Sequence, residues 1–162
     1  MGYATRCAAD GTPTDFFQAL NTPPPWRLVL DTNVVLDLLH FLDLTAAPIL
    51  QAIENRRAQC YASQASLAEL KRVLAYPEFA LGVSAQTALM AQYESWINVT
   101  HTVVNVHPKL PRCADPDDQM FLELAASVPA HFLISKDKAL LALKRSVYSF
   151  KILTPEEAVL IL

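Results

Sequence analysis

The sequence predicts an α/β fold, with a central parallel sheet and helices on both of its faces. Two observations carry that reading. Short apolar runs alternate along the chain with stretches of helical apolar period, which is the pattern of βαβ units. The 162 residues are 52% hydrophobic with only three glycines, so one domain with a real core is expected, not a low-complexity chain. Right-handed crossovers then bring the carboxyl end of every strand to one edge of the sheet.

Residues 1–25 read as an N-terminal arm and 26–162 as the domain. Pro13 and the run Pro23-Pro24-Pro25 bracket Phe16, Phe17 and Leu20, and three successive prolines force an extended path. Leu28-Val29-Leu30 is a buried strand running into Asp31, and helical stretches follow over 34–42 and 46–55. A strand around Cys60-Tyr61-Ala62 leads to a helix over 64–75, stopped before Pro77. Residues 84–97 have helical period, and Val103-Val104-Asn105-Val106 reads as a strand. A helix opens at Pro116 and reaches Ser127. Phe132-Leu133-Ile134 is a strand, 137–145 a helix, and Lys151-Ile152-Leu153 the last strand. The final helix has the clearest start: Thr154 as cap, Pro155 at the first helical position, and Glu157 three residues after the cap.

Composition excludes several classes. No apolar stretch approaches a membrane span, and residues 1–17 lack the charged-then-apolar layout of a signal peptide. Position 6 is Arg6, so a myristoylation signal is missing. Cys7, Cys60 and Cys113 fit neither a disulfide framework nor a zinc pattern, and reduced thiols in a cytoplasm are expected. Net charge is −3, so any nucleic acid would be held by a local patch and a metal, not by a global positive field. The four histidines have no ligand spacing.

Four acids stand at helix starts or just after strands: Asp31, Glu69, Asp118 and Asp137. Each has a plain alternative. Asp31 could be a helix cap, and Glu69 could be a solvated partner of Arg72 at i,i+3. Asp115 is a good cap before Pro116, and acids near it suit the helix dipole. Yet Asp118 shares a helix face with Phe121, Leu122 and Ala125, which a solvated acid would not normally do. Ile134-Ser135-Lys136-Asp137 repeats the strand, turn and acid seen at Asp31. Carboxylates meeting at one sheet edge raise one another's pKa unless a cation neutralises them. A set of oxygen ligands without His or Cys selects Mg²⁺ or Mn²⁺, and such a site activates water against a phosphodiester.

In their order and spacing, Asp31-Thr32-Asn33, Glu69 in Glu69-Leu70-Lys71-Arg72, Asp115-Pro116-Asp117-Asp118, Ser135-Lys136-Asp137-Lys138 and Leu153-Thr154-Pro155 closely resemble the PIN-domain family. The likeness covers about residues 27–160 and is nearest the VapC-like toxins of toxin–antitoxin pairs. It implies a Rossmann-like three-layer α/β/α sandwich and a metal-dependent ribonuclease. Asp31, Glu69, Asp118 and Asp137 would be its catalytic, metal-binding quartet. Asn33, Ser135 and Asp115 match supporting positions. In this branch Arg usually precedes the acid that Asp115 matches, but here Ala114 stands there, with Arg112 two residues earlier. The resemblance also implies an RNA substrate, a cognate antitoxin and a homodimer, with Mg²⁺ or Mn²⁺ as cofactor. Lys136 and Lys138 flank Asp137 and are candidates for RNA phosphate contacts. The rival reading is a non-catalytic PIN-like module that binds RNA or protein.

Overall fold

The structure is a computed structural model and describes residues 25–101, 110–147 and 149–162. Its centre is a sheet of five parallel strands: β1 (Trp26–Leu30), β2 (Ala58–Ser63), β3 (Ile97–Thr100), β4 (Phe132–Ile134) and β5 (Lys151–Leu153). Their order across the sheet is β3-β2-β1-β4-β5. The helices are α1 (Thr32–Leu36), α2 (Ala47–Glu54), α3 (Gln64–Leu74), α4 (Val83–Glu94), α5 (Gln119–Ser127), α6 (Lys138–Leu141) and α7 (Pro155–Val159). No described helix is long and apolar enough to cross a membrane.

The three-layer form follows from side-chain alternation along the strands. Leu28, Leu30, Phe132 and Ile134 join one apolar core with Val34, Ile49, Leu67 and Leu70 from α1 to α3. Val29, Leu133 and Ile152 point the other way, into a second core with Phe121, Leu122 and Ala125 of α5 and Leu140 of α6. The central strands are therefore buried on both faces and read as continuous apolar runs.

Local starts and stops obey the sequence in several places. Thr154 Oγ1 accepts from the Glu157 amide at 3.3 Å while the Glu157 carboxylate accepts from the Thr154 amide at 2.8 Å, closing the expected capping box. Ser63 caps α3 in the same reciprocal way, with Ser66 in place of an acid. Trp26 lies in edge-on contact with His131 and beside Phe132, and His131 Nδ1 accepts from the Arg27 amide at 2.9 Å. Both are structural residues.

Four boundaries differ from expectation. The helix expected over 84–97 ends at Glu94, and the next strand is Ile97-Asn98-Val99-Thr100, whose short alternation is masked by the helical period just before it. The helix expected from Pro116 begins at Gln119, because Asp115 Oδ1 accepts from the Asp117 amide at 2.9 Å and holds a turn instead. The helix expected over 137–145 regularises only over Lys138–Leu141 and continues as turns. The stretch expected over 34–42 divides into α1 and a wider π-helical turn, Asp37–Phe41, which ends at Leu42 with φ 51°. The strand expected over 103–106 and the arm expected over 1–25, apart from Pro25, lie outside the described residues.

Candidate active site

The chain runs outward from β1 to β2 and β3, then returns across the sheet to β4 on the opposite side of β1. The carboxyl ends of β1 and β4 thus face the point where strand order reverses, the crevice where open α/β sheets bind ligands. Asp31 follows β1 directly, and Ser135 and Asp137 follow β4. The register places Leu30 opposite Ile134, so the residues after each strand emerge side by side.

Asp31 is almost wholly buried. Its Oδ1 accepts from the Asn33 amide at 2.9 Å, and its Oδ2 accepts from the hydroxyl of fully buried Ser135 at 2.5 Å. Burial pushes the Asp31 carboxyl above its ordinary value; the bonds from Ser135 and Asn33 pull against this, and the charge of Asp137 adds to the rise. Ser135 Oγ also accepts from the Asp137 amide at 2.9 Å, so one hydroxyl links the two acids. Asp137 caps α6, its Oδ1 accepting from Ala139 at 2.6 Å and Leu140 at 3.2 Å.

Asp118 stands just before α5 and caps nothing. Burial comes first in moving its carboxyl from 3.8 to about 7; the charges of Asp31, Asp137 and Asp115 follow, together with a hydrogen bond shared with Asp137. The same field reaches Cys113, where burial and the neighbouring Asp118, Asp137 and Asp115 hold the thiol above its usual range. Asp31, Asp118, Asp137, Asp115, Ser135 and Asn33 are therefore brought together at one edge.

Glu69 is placed differently. It sits on α3 in a groove lined by Ala65, Ala68, Arg72, Asp117 and Met120. Its Oε2 accepts from Arg72 Nε at 2.9 Å and Nη2 at 2.5 Å, while Nη2 lies 3.8 Å from Asp117. The i,i+3 pairing foreseen as its plain alternative is thus formed. Lys136 is engaged as well: its Nζ lies 2.5 Å from Oδ2 of buried Asp37. Lys138 has no ion-pair partner among the described residues. Asp37 is the charged residue that sequence reasoning missed, although an acid inside Val34-Val35-Leu36-Asp37-Leu38-Leu39 was a visible signal.

Among the described residues, no three His, Cys, Asp or Glu side chains form a group ready to hold a metal ion. The donor chemistry nonetheless suits one. Asp31, Asp118 and Asp137 crowd negative charge with, among the described residues, no cation paired to them, and a carboxyl raised to about 7 by burial and by these neighbouring charges is what a bound cation would relieve. Of the curated proteins, none matches the chain significantly. The family profile of the PIN domain matches residues 27–139, from β1 into the first turn of α6 and across Asp31, Glu69, Asp115, Asp118 and Asp137. PIN domains have a nuclease-type fold and typically use divalent metals. With well over half of its length matched and the parallel five-stranded sheet in place, the chain belongs to the PIN-domain family.

Proposed function

We propose that this PIN domain is a divalent-metal-dependent endoribonuclease, a VapC-like toxin that acts on cytoplasmic RNA and is held in check by a cognate antitoxin. The observation that carries the reading is the Asp118 carboxyl, raised to about 7 by burial beside Asp31 and Asp137 at the strand-order reversal. Structural acids are normally arranged to lower such strain, and functional ones are arranged to hold it. Asp31, Asp118 and Asp137 would hold Mg²⁺ or Mn²⁺, with Glu69 joining once Arg72 releases it. The ion, when bound, supplies the charge that acidifies water and neutralises the scissile phosphate. The protein's own part is orientation. Ser135 and the Asn33 amide fix the Asp31 carboxylate, and the α6 amides fix Asp137. Asn33 is exposed beside Asp31 and Lys138 opens α6, and both would meet an RNA strand bound at this edge. An exposed apolar run, Phe41, Leu42 and Leu44, is the kind of surface that a protein partner or second protomer covers.

A second reading has its own support. Glu69 is satisfied by Arg72 and Asp137 by α6 amides, as in a PIN-like module that binds RNA or protein without cutting it. One experiment separates the two. Purified protein is incubated with RNA in Mg²⁺, Mn²⁺ or EDTA beside a folded Asp118→Asn variant. Cleavage that needs metal and is lost in the variant supports the nuclease. RNA binding without cleavage in any metal, unchanged in the variant, supports the module.

A further inference from the structure

We propose that Asp37 and Lys136 form a positioning pair that ties the Ser135–Asp137 turn to the first helix and so sets the spacing of the acidic edge. The proposal rests on the nuclease reading for its consequence, but not for its geometry.

Asp37 lies inside a stretch, Val34 to Leu39, whose side chains are all buried. A carboxylate there is stable only with a cation beside it. Its backbone carbonyl is used locally, accepting from the Asp43 amide at 2.9 Å as the π-helical turn closes. Among the described residues its Oδ2 makes no hydrogen bond, and Lys136 Nζ meets it at 2.5 Å as an ion pair. The ammonium also faces Asp43, whose carboxyl it helps to hold below the ordinary range, after the Thr45 hydrogen bonds. Lys136 thus spans from the loop after β4 to the turn after α1.

Its two chain neighbours do the work at the acidic edge: Ser135 holds Asp31 and Asp137 meets Asp118. Anchoring the residue between them fixes both at once. A lysine committed in this way is a positioning residue rather than a contact for RNA phosphate. The π-helical turn contributes by widening the helix at the point where Asp37 must reach the loop.

The test compares the full-length parent with Lys136→Met, Lys136→Arg, Asp37→Asn and the Asp37→Asn/Lys136→Met double variant. Amide hydrogen exchange in EDTA is read at Asp137, Ala139 and Leu140, whose amides report the turn without any cleavage. Exchange at these amides should quicken about tenfold in each single variant to a neutral residue, no further in the double variant, and stay near parent in Lys136→Arg. In the cleavage assay, kcat should fall roughly tenfold or more with KM unchanged, the usual scale for groups that orient metal ligands. Should Lys136→Met fail to fold, Asp37→Asn decides alone, because its lysine can then turn to solvent. Parent-like exchange in Asp37→Asn, with Lys136→Met raising only KM, would make Lys136 a phosphate contact and overturn the pair. A parent without cleavage in any metal refutes the nuclease reading, while the exchange data still decide the pair.

Discussion

Replacing Asp118 with Asn takes one charge from the acidic edge without removing a helix cap, since this side chain caps nothing. Burial and the facing carboxylates move the Asp118 carboxyl from 3.8 to about 7. The folded state therefore binds this proton more tightly than the unfolded state does. Stability is complete at acid pH and is lost as pH climbs from the lower value to the higher one. At about 1.4 kcal/mol for each tenfold change in proton affinity, a rise of that size sets a ceiling of roughly 4 kcal/mol. The side chain is partly open to water, which screens such interactions, so about 1–2 kcal/mol is the effect expected. In urea titrations with EDTA, the Asn variant should exceed the parent by that amount at pH 8 and converge with it near pH 4. Added Mn²⁺ should then raise the melting temperature of the parent more than that of the variant. Asp31 is a poorer probe, because its carboxylate also accepts from Ser135 and Asn33. An Asn variant no more stable at pH 8, or offset equally at every pH, would refute the crowding argument and leave Asp118 an ordinary surface acid.

Ser135→Ala leaves Asp31 Oδ2 buried without its donor and should cost about 1–3 kcal/mol in urea unfolding at pH 7, with a further rise in the Asp31 pKa by NMR titration. Thr154→Ala removes the α7 cap and should cost about 1 kcal/mol by the same measurement, with no change in the metal-induced melting shift. Deleting residues 1–22 should leave both the fold and that metal shift intact; a loss above about 3 kcal/mol, the scale of a large core side chain, would place Phe16 and Phe17 in the core.

The sheet is legible in the sequence because its central strands are buried on both faces. Leu28-Val29-Leu30 and Phe132-Leu133-Ile134 have no polar face to confuse the pattern. The edge strand β3 is not. Ile97-Asn98-Val99-Thr100 is half exposed and follows a helix directly, so its period-two signal merges with the preceding helical one. The start of α5 is hidden for a different reason. Asp-Pro at 115–116 is a fair helix opening, but Asp115 commits its side chain to a two-residue turn, and Asp118 is left outside the regular helix. That displacement matters chemically, because it frees Asp118 to face Asp137.

The acids at Asp31 and Asp137 are visible from purely local grammar, a buried strand followed at once or after a short turn by a carboxylate. Asp118 is visible from sharing an apolar face. Glu69 and Lys136 show where such reasoning stops. Both are charged groups near the right place, and each is paired with a protein partner, Arg72 for Glu69 and Asp37 for Lys136, where the proposed nuclease would offer a metal ion to the first and an RNA phosphate to the second. Spacing along a helix identifies the first competitor in one case, since Arg72 lies one turn away. It cannot identify Asp37, which meets Lys136 only after the sheet has brought β1 and β4 together. A buried acid in an apolar run announces that a cation must exist, and topology alone names it. The same logic gives the acidic edge its meaning: buried Asp37 on the α1 side has its partner in Lys136, whereas Asp31, Asp118 and Asp137 share hydrogen bonds and, among the described residues, no cation.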